Sequence, residues 1–419
     1  MSAPLFSALR NPRFLKLWAG QCISALGDRF TQMALLSLVM AGQASDEQAK
    51  IILYEFLPWI ILGPFAGVLV DRYSRKWLMI GADLVRGLLV ALIFIVLMAH
   101  KGSGISAVYP LLFAMGSMTA IFSPAKSAAL PDLVDSREIL PSGALLSATG
   151  VISTAVGGIL AGWVIDHWGV RACLMLDAFS FVLSAVAVAW IAFPPRQEKP
   201  RLQFKDVVKD LGGGFREIRH NGELLKICAF LFVFWFASIS IQVIAPNYGK
   251  EVLGLGGRNM TELGQILALA GLGLLVGAGA TAFAGHRVAR RAAYCFASAG
   301  MGGAVLALAS CRSFPSALAC LFLAGFAGGT MVSRIDADIL KVISPDIRGR
   351  VFGATSVIFA AAMLTPLLPI GWLSVRMPAV QILRLLAMGL LALGAWVLLR
   401  LLKDLKAGKP LLLPVEGKP

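Results

Sequence analysis

The sequence predicts an all-α membrane protein with twelve transmembrane helices in two halves of six. Three observations predict it. The chain is 58% hydrophobic and only 15% charged, against about 45–50% and about 25% in soluble domains. The apolar residues fall into twelve runs, each near the roughly 20 residues that a helix needs to cross a bilayer. Lys and Arg are sorted by side between those runs, as membrane topology requires.

Taken in order, the expected spans are 17–41, 51–70, 77–98, 107–130, 140–165 and 172–193, then 224–248, 263–285, 292–310, 315–340, 350–374 and 379–402. The first follows Arg10, Arg13 and Lys16. It is longer than the roughly 7–15-residue core of a signal peptide, so an uncleaved helix is expected. The organisation expected is an N-terminal half over 1–193, a linker over 194–223, a C-terminal half over 224–402 and a tail over 403–419. In the linker, Phe204, Val207, Val208, Leu211 and Phe215 recur at helical spacing among Lys and Arg. That pattern predicts an amphipathic helix on the membrane surface.

With the N-terminus inside, 26 of the 38 Lys and Arg fall in inner segments and 7 in outer ones. Both termini are therefore expected in the cytoplasm. The halves echo each other weakly. Asp71-Arg72-Tyr73-Ser74-Arg75-Lys76 aligns with His286-Arg287-Val288-Ala289-Arg290-Arg291, and Pro131-Asp132-Leu133 with Pro345-Asp346-Ile347. Such an internal repeat suits a transporter built from two related halves. The alternative is that basic loops resemble one another on any cytoplasmic face.

Several function classes fall away. The net charge of +15 would suggest nucleic acid in a soluble chain. Here it sits in short loops, and no nucleic-acid partner is expected. The six cysteines form no C-x-x-C pair and the four histidines no ligand spacing, so no metal site is expected. Gly271, Gly273 and Gly277 lie in an apolar span with no strand before them, which excludes a dinucleotide loop. No Walker sequence is present.

Charges inside the spans cost about 2.5–3.5 kcal/mol each at mid-bilayer and normally face a bundle interior or an aqueous path. Asp28 lies half-way along the first span. Gln21, Ser24, Asp28 and Gln32 recur at i, i+3, i+7 and i+11 on one helical face. That polar face predicts a water-accessible path, with Asp28 as a proton- or substrate-binding carboxylate. The alternative is a structural acid neutralised by a base on another helix. Lys126 in span 4 is expected either to meet an anionic group in the cavity or to snorkel to the interface. Asp83 and Arg86 at i, i+3, and Arg334 and Asp338 at i, i+4, are expected to pair within their helices. In span 7, Gln242 and the aromatics Phe234, Trp235 and Phe236 are candidate cavity contacts.

The run from Gly67 to Lys76, with four charges in six residues, resembles the signature loop of the major facilitator superfamily, with Ser74 in place of the usual glycine. The resemblance implies a major facilitator fold, a cavity lined by helices 1, 4, 7 and 10, and transport by alternating access. It also implies that Asp71 caps the start of helix 11, where Arg348 and Arg350 add an ion pair, and that Arg72, Arg75 and Lys76 belong to the same gate. Within the superfamily, Asn11-Pro12-Arg13-Phe14, Gly27-Asp28, Ser123-Pro124-Ala125 and Asp177-Ala178-Phe179-Ser180-Phe181 are similar to drug:proton antiporters that include macrolide exporters. Ser123-Pro124-Ala125-Lys126 and Asn221-Gly222-Glu223 also resemble bacterial lysophospholipid transporters. Two departures stand out: Ser153-Thr154 replaces the Gly-Pro of many exporters, and Gln242 replaces a base of the lipid transporters.

The expectation is thus a monomeric, non-enzymatic secondary transporter of the bacterial inner membrane. It would export an amphipathic small molecule or drug, or else move a lysophospholipid. No cofactor is expected. The coupling ion would be a proton, with sodium as the alternative.

Overall fold

The structure is a computed structural model that describes residues 7–42, 46–99, 105–193, 204–256, 259–284, 290–344 and 347–406. The described residues are helical, with no strand among them. The helices are α1 (Pro12–Ala41), α2 (Glu47–Arg72), α3 (Arg75–Ala99), α4 (Ile105–Leu133), α5 (Ile139–Ala189), α6 (Phe204–His220), α7 (Gly222–Glu251), α8 (Met260–Ala284), α9 (Arg290–Leu308), α10 (Phe314–Val342), α11 (Arg348–Leu364), α12 (Leu367–Ser374) and α13 (Ala379–Lys406). Nine stretches among the described residues are long and apolar enough to cross a membrane. One of them, α5, is 51 residues long, enough for two crossings. With α1 and α2 the crossings number twelve.

Two spans depart from simple one-helix crossings, each for a backbone reason. Spans 5 and 6 run together in α5, and the direction changes at Gly169, with φ 80° and ψ 171°. An L side chain rarely adopts that φ, so glycine makes the turn without strain. Span 11 is broken into α11 and α12 at Thr365-Pro366. Pro366 has no N–H to give the carbonyl one turn back.

Both halves begin on the same device. Asn11 accepts hydrogen bonds from the backbone N–H groups of Arg13 and Phe14. Asn221 accepts from those of Glu223 and Leu224. These are N-caps, which satisfy donors that the first helical turn cannot.

The described contacts divide the chain into two units. One runs to Asp210 and includes Gly256–Gly264; the other holds Leu211–Leu255 and the chain from Gln265. In the first, α1 packs against both arms of α5, α2 against α4, and α3 against α4 and α5. In the second, α7 packs against α11 and α13, α8 against α10, and α9 against α10 and α13. The pairing order repeats from one unit to the next. The end of α6 packs on α11: a Cβ on Gly214 would lie 2.2 Å from the Arg350 carbonyl oxygen, and Leu211 abuts Gly353. Ile218 is buried while Phe215 is exposed. The linker helix therefore has a protein-facing side as well as the free face expected from its pattern.

Candidate functional site: polar groups at membrane depth

Asp28 is half-buried on α1 and makes no hydrogen bond or ion pair among the described residues. It interacts through charge with Glu55 on α2, Asp83 on α3, Lys126 on α4 and Asp177 on α5. Four neighbouring helices thus each present it with an ionisable group. The polar face around it is shorter than its periodicity predicts. Gln21 and Ser24 are buried, 6% and 4% exposed. Beside them α1 is pressed against the second arm of α5, where a Cβ on Gly20 would lie 3.0 Å from that of Ala187. The open part of the face is Asp28 and Gln32. The Gln32 side-chain oxygen accepts from Arg29 Nη1 at 2.6 Å.

Two of the other acids, Asp177 and Asp83, have fixed work. Asp177 is fully buried. Thr31 Oγ1 donates to its Oδ2 at 2.5 Å, and Ser180 Oγ to its Oδ1 at 3.2 Å. Gly27 makes this possible, since a Cβ there would lie 2.0 Å from Ser180 Oγ. The Asp-Ala-Phe-Ser-Phe run is thereby explained: Asp177 and Ser180 clasp α1, and Phe181 turns toward α3. There Arg86 pairs with Asp83, both buried. Its guanidinium lies 4.3 Å from the Phe122 ring centroid and 4.5 Å from that of Phe181. Burying an ion pair is costly unless its geometry is good, and two ring faces add cation–π attraction. The Lys126 ammonium, on a half-buried side chain, stands 5.9 Å from the Phe122 ring centroid.

In the second unit, Gln242 and Trp235 are half-buried and lie on one face of α7, at i and i+7. Trp235 packs edge-on against Phe359 of α11 at 4.7 Å. Its neighbours are corrections to the sequence expectation. Phe234 is buried against Gly328 of α10, and Phe236 lines an apolar groove beside α12 and α13. Successive helical residues point about 100° apart, so three aromatics in a row cannot share one cavity. Arg334 pairs with Asp338 at 3.2 Å within α10. Tyr294 Oη of α9 donates to Asp338 Oδ2 at 3.1 Å.

The basic loop after α2 stitches one end of the first unit. Arg75 pairs with Asp132 at the end of α4. Lys76 Nζ donates to the carbonyls of Ala189 and Ile191 at 2.6 and 2.8 Å. Ala189 ends α5 and Ile191 lies two residues past it, at a helix C-terminus where a cation is favoured. Arg72, Arg348 and Arg350 are exposed. The side chain of Asp71 lies outside the described residues, as do His286, Arg287, Pro345 and Asp346.

A family model for the Major Facilitator Superfamily matches residues 17–366. The chain belongs to this superfamily. Its many apolar spans make it a multi-pass membrane protein. It is 26% identical over 235 residues to macrolide efflux protein A of Streptococcus pyogenes, a match covering 56% of this chain and 58% of that protein. It is 24% identical over 324 residues to the lysophospholipid transporter LplT of Yersinia pestis, covering 76% and 75%. Its fold is shared with the nucleoside transporter NupG, with a TM-score of 0.72 and 12% identity, covering 92% of this chain and 99% of that one.

The chain also holds contacts that its sequence did not announce. Asp166, near the turn in α5, accepts from the backbone N–H groups of Met260 and Thr261 at 3.0 and 2.8 Å. Glu223 takes two bonds from Arg290, at 2.7 and 2.9 Å. Partners 67 to 95 residues apart leave no periodic trace. The only local signal was an acid at a helix start or end.

Proposed function

We propose that the protein exports an amphipathic small molecule across a bacterial inner membrane by alternating access, coupled to protons through Asp28. Two halves, over 1–193 and 224–402, would move about one monomer's cavity, with both termini in the cytoplasm. The observation that carries the reading is the unpartnered state of Asp28 among the described residues. Two of its acidic neighbours are committed: Asp177 to Thr31 and Ser180, Asp83 to Arg86. Asp28 has no fixed donor, as is true of Glu55, but Asp28 is the one on which Lys126 and three acids act through charge. An acid so placed can be neutralised by a proton or by a cationic group of the cargo. Occupancy by one opposes the other, which is the requirement for exchange. Trp235 and Phe359 offer aromatic surface for the apolar part of such a cargo. The similarity to macrolide efflux protein A supports the cargo class.

The test is efflux from inverted vesicles driven by an imposed pH gradient, with a macrolide and a fluorescent amphipathic dye as cargoes. Asp28→Asn is expected to bind the dye and yet to lose pH-driven movement down to the level of protein-free vesicles. Unchanged movement would remove Asp28 as the coupling group.

A second reading is lysophospholipid movement. The match to LplT covers more of this chain than the macrolide match does, and Lys126 could meet a lipid phosphate. Transport of lysophosphatidylethanolamine but of no macrolide, in proteoliposomes, would favour it.

A further inference from the structure

One end of the second unit holds a cavity of about 150 Å³ between α7, α9 and α13, the volume of roughly five waters. Lys226, Arg290, Arg291 and Arg400 line it, with Glu223 as its one acid. Glu223 is engaged by both terminal nitrogens of Arg290. The lining therefore carries an excess of three positive charges. Its inner wall is aromatic: Phe230 and Tyr294 are stacked with centroids 4.5 Å apart, and the Arg400 guanidinium lies 5.5 Å from the Trp396 ring centroid. Trp396 is half-exposed and Leu399 61% exposed. The cavity thus opens beside apolar surface, with a tryptophan at the depth where aromatics anchor in the interface.

The apolar surface continues away from the charges. A groove of about 380 Å³ runs between α7, α12 and α13. On α13, Leu393, Gly389 and Leu386 precede Arg400 by 7, 11 and 14 residues, all on its face. On α7, Val233 and Ala237 of the groove follow Lys226 by 7 and 11 residues. Gly389 lies about 16 Å along the helix from Arg400, half of the roughly 30 Å hydrocarbon thickness. A cationic cavity is therefore followed, along the same faces of α7 and α13, by an apolar groove whose nearer part lies within the first half of the hydrocarbon.

We propose that this seam is a resident site for an anionic diacyl phospholipid, with its phosphodiester among Lys226, Arg291 and Arg400 and one acyl chain along Leu393, Gly389 and Val233. A free phosphate would use the charges and leave the groove unused. A zwitterionic lipid would bring its own ammonium into a cavity already three charges positive. The Lys and Arg count puts this end at the cytoplasmic leaflet, where basic pockets between helices take anionic headgroups. The site is built only from second-unit residues and does not depend on the identity of the cargo or on Asp28.

The experiment is native mass spectrometry of the purified full-length protein in neutral detergent, titrated with dioleoyl phosphatidylglycerol or dioleoyl phosphatidylcholine. Wild type is expected to retain one phosphatidylglycerol and to prefer it to phosphatidylcholine. The exposed pair Lys226→Gln with Arg400→Gln removes two charges, each contributing about fivefold at an anionic lipid surface, so retention is expected to weaken roughly 30-fold. Leu393→Trp fills the groove without touching charge and is expected to weaken retention too. Equal retention of the two lipids by wild type, unchanged retention in the charge variant, or displacement by millimolar inorganic phosphate would overturn the proposal. Persistence of the bound lipid when a macrolide or lysophosphatidylethanolamine is added is the expected result; its loss would mean that the site is part of the transport path instead.

Discussion

Asp83 and Arg86 face one another one helical turn apart on α3, and the guanidinium is closed in by Phe122 and Phe181. Removing the arginine leaves a buried carboxylate without its paired base, which costs about 3–5 kcal/mol. Arg86→Ala is expected to lower the thermal unfolding temperature in detergent by the most of any single substitution in α3. Replacing both partners, as in Asp83→Leu with Arg86→Met, is expected to recover most of the loss. If the double variant were less stable than the single one, the pair would be doing more than neutralising itself. The same scale shows what the sequence could and could not reveal. Asp83–Arg86 and Arg334–Asp338 were legible because i, i+3 and i, i+4 neighbours must meet on a helix. Arg75–Asp132, Thr31–Asp177 and Tyr294–Asp338 join different helices, and no spacing within one helix encodes them. Asp28 was legible as a charge in an apolar span. That it has no fixed donor depends on where groups on other helices are aimed, which no spacing along α1 encodes.

Among elements, the crossing of α8 and α10 is the tightest in the second unit. A Cβ on Gly273 would lie 2.1 Å from the Phe322 oxygen, and one on Gly325 2.1 Å from the Ala270 oxygen. Each glycine thus lets backbone meet backbone, the means by which membrane helices gain van der Waals contact. Gly325→Val is expected to destabilise by at least the 1–3 kcal/mol or so of ordinary overpacking, because the obstacle is backbone and cannot rotate aside. Gly303 has open space where its Cβ would be, so Gly303→Ala is expected to be neutral; both are read by thermal unfolding in detergent. The spans themselves were legible from hydrophobic length alone. The break in span 11 had a visible cause in Pro366. The joining of spans 5 and 6 did not, because a single glycine among apolar residues reads as packing until its φ is known. The amphipathic pattern of the linker predicted a helix; the part of it that packs on α11 was hidden, since protein and lipid both accept an apolar face.

At the scale of the molecule, a repeated pairing order of helices in two units fits the membership of the chain in a superfamily of two-half transporters. The Lys and Arg asymmetry predicts the side on which the basic loops lie, and the ties of Arg75, Asn11 and Lys76 to the ends of α4 and α5 give those loops a structural purpose in the first unit. Cargo is the least legible property, because an amphipathic ligand needs only apolar area and one or two charges. The central claim is exchange of a proton for that cargo at Asp28. It is tested most directly by trapping a pH-sensitive dye inside proteoliposomes and adding a macrolide outside with no imposed gradient. The account predicts a change of internal pH that starts on addition, scales with the macrolide and is absent in Asp28→Asn. Macrolide movement with no change of internal pH, or a pH change that persists in Asp28→Asn, would contradict it.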